Sequence, residues 1–316
     1  PGVNARVRWS IERIGAPSPL RSGAGRAPAV RVPVPPRAAT GLYVVRLRTP
    51  AGPAAVPLTV RGRGGGRVLV VLPAISWQGL NPVDDDADGF PDTLTGAQSV
   101  AVARPLAFGH LPGSLAREAA PLLEFLDRRH AGYDLTTDLA LARGVGPRLA
   151  GHPGVLFAGS ALWLTEGVDR DLRSYVEAGG RVASFGTDAF RRTVQVAAGR
   201  LSAPSPRQQT NVFGEQTAMA SSAAAPLVVS SDTLNLFAGS DGYVGLFTHF
   251  EQQRALVAGA RVLSAAGRDP RHPAFVAYRL GKGTVVRTGT PEWPAALASD
   301  SEVQAITRST WDLLSR

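Results

Sequence analysis

The chain has 316 residues, a formal net charge of +9, 44% hydrophobic residues and 19% charged residues, and no cysteine. That composition excludes wholesale disorder, and the lack of thiols excludes disulfides, cysteine-ligated zinc, iron–sulfur clusters and a cysteine nucleophile. No uncharged apolar run reaches the ~20 residues that cross a bilayer, so no transmembrane segment is expected. Of the 34 basic residues only Lys282 is a lysine, and the arginines are scattered along the chain. Nucleic-acid binders gather their charge on one face and interleave aromatics, so no nucleic-acid partner is expected. A start at Pro1, inside strand-like sequence, reads as a fragment or a processed form.

Residues 1–62 read as a partial β-sandwich, an immunoglobulin-like remnant. Segments 6–14, 29–33, 42–48 and 55–60 alternate apolar with polar residues, and Gly and Pro clusters separate them. Residues 61–67 are Gly- and Arg-rich, the composition of a flexible linker. Residues 68–316 read as an α/β domain. The continuous apolar run at 68–74 fits a strand buried on both faces. A helix follows at 114–129, then strands at 133–141 and 154–158. The spacing predicts another helix at 169–178, stopped by Gly179-Gly180, and a strand at 181–186. Residues 196–245, rich in Ser, Ala, Gln and Pro, read as loops and irregular β. Segments 274–280 and 283–288 flank the turn Gly281-Lys282, a hairpin signal. A capping box at 299–302 opens a final helix. Strands alternating with helices predict a parallel sheet flanked by helices.

The sharpest motif lies at 84–95. Asp84, Asp86 and Asp88 stand at alternate positions, Gly89 follows, and Asp92 is ninth. Alternate residues of a tight turn point inward, and a hard cation takes six to eight oxygens. The expected calcium ligands are Asp84, Asp86, Asp88, the Phe90 carbonyl and Asp92. The twelfth position is Thr95, where an EF-hand places a bidentate Glu. The alternative is a solvated acidic turn, although five carboxylates in nine residues repel one another without a cation. The expected role of calcium is structural.

Three blocks resemble the C-terminal region of the N,N-dimethylformamidase large (beta) subunit. The first is the stretch 40–47, reading TGLYVVRL. The second is the run 68–73 followed by SWQGLN at 76–81, similar to the family's T-W-Q-A-Y-N. The third is GSALWL at 159–164, similar to G-H-D-E-Y-W, with the helix ending in Gly179-Gly180. Arg104-Pro105 fits an R-P pair after the first strand. The resemblance implies a fold akin to class I glutamine amidotransferases, of the flavodoxin-like kind. It also implies a mononuclear iron held by two tyrosines and a glutamate. In this chain the tyrosine of the second block is Leu80, the glutamate of the third is Leu162, and the preceding histidine is Ser160. Leucine offers no ligand, so no iron site is expected.

In an open α/β sheet, ligands sit at the carboxyl ends of the strands. Ser160 ends a predicted strand, His110 follows Arg104-Pro105, and Asp188 ends another strand, so these three are the catalytic candidates. Asp188 reads more readily as a helix N-cap. Trp77, Gln78 and Asn81 lie at the mouth expected for a pocket, and Trp293 is placed to wall it. They either touch a ligand or pack against the acidic turn. The favoured reading is a calcium-stabilised, dimethylformamidase-like module that binds an unidentified small molecule or protein partner without hydrolysis. The alternatives are an active C–N (amide) hydrolase with a rebuilt site and a purely structural domain. A calcium loop behind a β-rich front suits an extracellular or cell-envelope protein.

Overall fold

The computed structural model describes residues 5–61 and 64–316. Four strands form an antiparallel front sheet: β1 (Arg6–Arg13), β2 (Arg21–Arg26), β3 (Gly41–Thr49) and β4 (Gly52–Val60), in the order β2-β1-β3-β4. Val7, Trp9 and Ile11 of β1 are buried, and Trp9 and Ile11 pack with Tyr43 and Val45 of β3. The second strand is thus Arg21–Arg26 and not the expected 29–33, where Pro28, Pro33, Pro35 and Pro36 remove ladder donors. Gly23 is required there because a Cβ would lie 2.5 Å from the Trp9 ring. The described residues hold one sheet at the front, so no second layer of a sandwich accompanies it. Part of the expected linker, residues 62 and 63, lies outside the described residues.

A nine-stranded sheet dominates the rest. Its strands are β5 (Val68–Leu72), β6 (Tyr133–Thr137), β7 (Gly154–Phe157), β8 (Arg181–Ser184), β9 (Gln216–Asp232), β10 (Tyr243–Ala255), β11 (Arg261–Gly267), β12 (Phe275–Leu280) and β13 (Gly283–Arg287). The order is β10-β9-β11-β12-β13-β8-β7-β5-β6. The four pairings from β13 to β6 are parallel, and the four from β10 to β13 are antiparallel. Three further short ladders lie outside these two sheets.

This corrects the expected fold class. The sheet is mixed, and strand outweighs helix, 37% against 20%. A parallel sheet of the glutamine amidotransferase or flavodoxin kind does not describe the chain. The source of the error is the stretch 196–245, read as loops. It holds much of the long hairpin β9–β10, whose Ser- and Ala-rich middle lacks alternation and carries a register shift between Ser221 and Ala225. The outer edge of β10 is not open along its second half. Thr248 N–H donates to Glu292 Oε2 at 2.7 Å, Glu251 N–H to the Gly289 carbonyl at 2.7 Å, and Gln253 N–H to the Pro273 carbonyl at 2.8 Å.

Every residue of β5 is buried, because both faces are covered. Val68, Val70 and Leu72 face a core built with α2 (Ala120–Arg128), α5 (Trp293–Ala296) and α6 (Ser301–Ser315). Leu69 and Val71 face α4 (Glu166–Glu177) through Val168, Leu172 and Val176. The helix expected at 114–129 opens with a π-helical turn, Leu115–Ala119, before α2. The strand expected at 133–141 ends at Thr137. Its hydroxyl accepts from Ala140 N–H at 3.0 Å and starts α3 (Asp138–Ala142). Thr165 likewise caps α4, three residues earlier than the spacing predicts. Asp300 caps α6, accepting from Glu302 and Val303 N–H. The front sheet joins this body through Arg13, whose guanidinium meets Asp127 on α2 at 2.8 Å. No helix among the described residues is long and apolar enough to cross a membrane.

Candidate functional site

The strand-end region begins where β5 gives way to a short helix, α1 (Ala74–Gly79). Pro73 offers no side-chain cap. The cap comes from Asp138, whose Oδ1 accepts from Ile75 N–H at 2.9 Å and Leu139 N–H at 2.7 Å. Burial pushes the Asp138 carboxyl up to about 7, against the pull of those N–H groups. Its second oxygen has no partner.

Trp77 and Asn81 are buried at the far end of α1. Asn81 Nδ2 donates to the Pro105 carbonyl at 2.8 Å, and its Oδ1 accepts from Ala107 N–H at 2.9 Å. This amide folds the 105–110 segment back over α1. The result is a cavity of about 360 Å³ lined by Trp77, Leu80, Asn81, Phe108, His110 and Arg117 among others. Gln78 lines a second cavity of about 210 Å³, which shares the Trp77 ring. A third cavity, about 490 Å³, lies between the 144–150 loop and α4 and shares none of these residues.

Trp293 is not at this mouth. It is wholly buried, donates from Nε1 to Thr307 Oγ1 at 2.9 Å, and stacks on Phe247 with ring centres 5.8 Å apart. It is a core residue at the start of α5, in the same cluster that takes in α2 and α6.

Ser160 follows β7 after Gly159, which takes φ +111°. Glu118, on the π-helical turn, accepts from Ser160 N–H at 2.6 Å, and Ser160 Oγ accepts from Thr187 N–H at 3.0 Å. Burial raises the Glu118 pKa, and its bonds to Ser160 oppose the rise. The three catalytic candidates do not form a relay. Asp188 is held by Arg192 at 2.7 Å and Arg207 at 2.5 Å, and no helix follows it to cap. His110 lies exposed on the groove wall. Sequence reasoning missed Glu118, the group that does touch Ser160. A burial pattern on its helix would have been the only signal.

In the acidic loop, carboxylate oxygens of Asp84, Asp86 and Asp88 lie within 4.8 Å of one another. Asp84 accepts from Ala87 N–H and from Gly89 N–H at 2.9 Å, and the Gly89 bond leads the lowering of its pKa. Gly89 takes φ +94°, the left-handed turn that favours glycine. Asp92 stands outside that trio; its Oδ2 accepts from Asp85 N–H at 2.7 Å and closes the loop base. Asp85 points inward to Ala101 N–H at 2.9 Å and to Arg104 at 3.3 Å. Arg104 also donates to the carbonyls of Gln78, Val83 and Asp92. One buried arginine therefore ties the acidic loop to α1. Phe90 is exposed.

A second charged constellation, invisible in the sequence, lies buried where the parallel and antiparallel halves meet. Arg287 donates to Glu215 at 2.7 Å and to the Glu251 carbonyl at 2.6 Å. Thr217 Oγ1 donates to Glu251 Oε1 at 2.6 Å and accepts from Arg191 at 2.6 Å. Asp188 N–H donates to Glu251 Oε2 at 3.0 Å.

The residues present do not fit an iron centre held by two tyrosines and a glutamate. Leu80 caps α1, and Leu162 packs with Ile75, Leu94 and Trp163. The phenols are engaged or remote: Tyr43 donates to Ala39, Tyr133 to Asp127, and Tyr175 to His152. Tyr278 is buried in the α4-side core, and Tyr243 is exposed on β10. Among the described residues, the one group of three or more clustered His, Asp or Glu ligands is the aspartate trio.

A family model described as N,N-dimethylformamidase beta subunit-like, C-terminal, matches residues 22–226, more than half of the chain. The chain belongs to that family. No curated protein matches it. Among solved structures it is similar to a cold-adapted β-galactosidase from Rahnella sp. R3, at 14% identity and TM-score 0.48, covering 78% of this chain and 31% of that one. It is also similar to the exo-β-1,4-mannosidase Op5Man5 from Opitutaceae bacterium strain TAV5, at 13% identity and TM-score 0.43, covering 80% and 36%. A putative ThuA-like protein from Parabacteroides merdae aligns at 12% identity and TM-score 0.37, covering 62% and 83%. The chain spans about a third of the length of the two glycosidases.

Proposed function

We propose, from the premise of membership in the dimethylformamidase beta-subunit-like family, that this chain is a calcium-stabilised ligand-binding module without the family's iron chemistry. The observation that carries the reading is the pairing of Leu80 and Leu162, two side chains with no donor atom, at the positions the resemblance assigns to iron ligands. The aspartate trio supports a different metal. Its oxygen-only donors suit calcium, and the loop spacing offers Asp92 and the Phe90 carbonyl as further oxygens. An exposed site short of a bidentate Glu has an expected Kd of about 10⁻⁴ to 10⁻³ M. Such a loop fills where calcium is millimolar, which fits an extracellular or cell-envelope setting.

Calcium titration with thermal melting tests this. The melting temperature rises by roughly 5 °C at a hundredfold excess over Kd, and EDTA reverses it. Asp86→Asn removes the response. A melt indifferent to 10 mM calcium (about tenfold the weakest expected Kd) sinks the calcium part of the reading.

A second reading, an amide hydrolase built on Ser160, draws on the Glu118 carboxylate beside it. An amide-hydrolysis screen whose signal disappears in Ser160→Ala supports this reading against the first.

A further inference from the structure

We propose that the groove between α1 and the 105–117 segment takes a small carboxylate with a flat apolar body. The proposal deepens the ligand-binding reading and rests on it. Three observations meet there. Phe108 is 83% exposed and takes φ +57°, a left-handed conformation that strains a bulky residue. The distortion is built in. Gly109 follows at φ +65°, and a Cβ on it would sit 2.1 Å from the Pro53 carbonyl of the front sheet. The backbone is thus pinned against β4 in a shape that holds an aromatic ring out in solvent, with no intramolecular return for the strain.

Trp77, almost wholly buried, lines the same groove. Two aromatic residues in one lining suit a planar guest. The charge at the rim is positive. Arg117 is exposed, and among the described residues it has no hydrogen bond or ion pair. Its guanidinium lies across Gly113, where a Cβ would be 2.9 Å from Nη2. His110 lines the same rim. Asn81 is spent on the Pro105 and Ala107 backbone, so it shapes the groove and does not read the guest. One permanent guanidinium matches a monoanion, and its planar fork matches a carboxylate. The cavity, about 360 Å³, is of small-molecule size.

The test is binding of benzoate to the full chain in calcium buffer, followed by tryptophan fluorescence and titration calorimetry, with benzyl alcohol and N,N-dimethylbenzamide as neutral counterparts. Benzoate binds at least about tenfold more tightly than either neutral probe, since a charge-assisted bond is lost in both. Arg117→Gln removes that preference, and Phe108→Ala weakens all three probes alike. Both variants change exposed side chains, and their melting curves match the parent. Equal binding of benzoate and the neutral probes overturns the carboxylate assignment while leaving a ligand-binding module in place. Benzoate binding unchanged in both Arg117→Gln and Phe108→Ala overturns the groove as the site. Turnover of the dimethylbenzamide overturns the non-hydrolytic reading itself.

Discussion

The Arg287 guanidinium meets the Glu215 carboxylate at 2.7 Å, with Glu215 wholly buried and Arg287 nearly so. The two residues stand 72 apart in sequence and join the strand β13 to the start of the β9–β10 hairpin. Burial opposes the arginine's charge, but Glu215 and Glu251 outweigh it and hold the guanidinium ionised. Removing one member of a buried pair leaves an uncompensated charge, which costs about 3–5 kcal/mol. Arg287→Met therefore lowers the unfolding free energy measured in urea by that amount, because it strands two glutamates. A loss below about 1 kcal/mol contradicts the buried network as drawn.

Asp138 gives the chain a pH dependence of definite sign. Its folded pKa, about 7, lies above the unfolded value of 3.8. The native state therefore binds the extra proton between those values, and stability falls as pH rises through that window. A shift of that size corresponds to roughly 4 kcal/mol, fully present below the unfolded pKa and lost by about pH 7. Asp138→Asn keeps the acceptor for Ile75 N–H and flattens the stability profile between about pH 4 and 7. A variant that retains the parent's slope shows that another group is responsible.

Arg104 couples the acidic loop to the groove. It is buried and reaches Asp85 and the carbonyls of Gln78, Val83 and Asp92. Arg104→Met leaves these acceptors unpaired, at about 1–3 kcal/mol. It also frees the loop base, so the calcium-induced rise in melting temperature shrinks with it. A variant that loses stability but keeps the full calcium response separates the two roles.

The turn between β12 and β13 is set by close approach to α4. A Cβ at Gly283 would lie 2.2 Å from the carbonyls of Gly180 and Val176. Gly283→Ala forces the hairpin off the helix and costs about 1–3 kcal/mol. Chemical denaturation checks this, and an unchanged midpoint means the hairpin has room the distances deny.

What the sequence made legible was local. The apolar run Val68–Leu72 announced a doubly covered strand, Gly281-Lys282 its hairpin, and the spacing of Asp84, Asp86 and Asp88 a convergent trio. Trp77 and Asn81 were placed at the strand end by the same reasoning. The β9–β10 hairpin was not legible, because Ser221–Ala225 carries neither alternation nor turn chemistry. Trp293 was misplaced because its position after a hairpin said nothing of whether its ring would line the strand ends or enter the core. Glu118 with Ser160, and Glu215 with Arg287, are partners only in space. Charges that far apart in sequence carry no local mark of their pairing.

The central claim is that the family scaffold persists here without its iron ligands, and metal content of the purified chain tests it most directly. After expression in iron-supplemented medium and desalting into calcium buffer, the account predicts retained calcium and no stoichiometric iron. One iron per chain, lost on substitution of strand-end residues near Leu80 and Leu162, contradicts it.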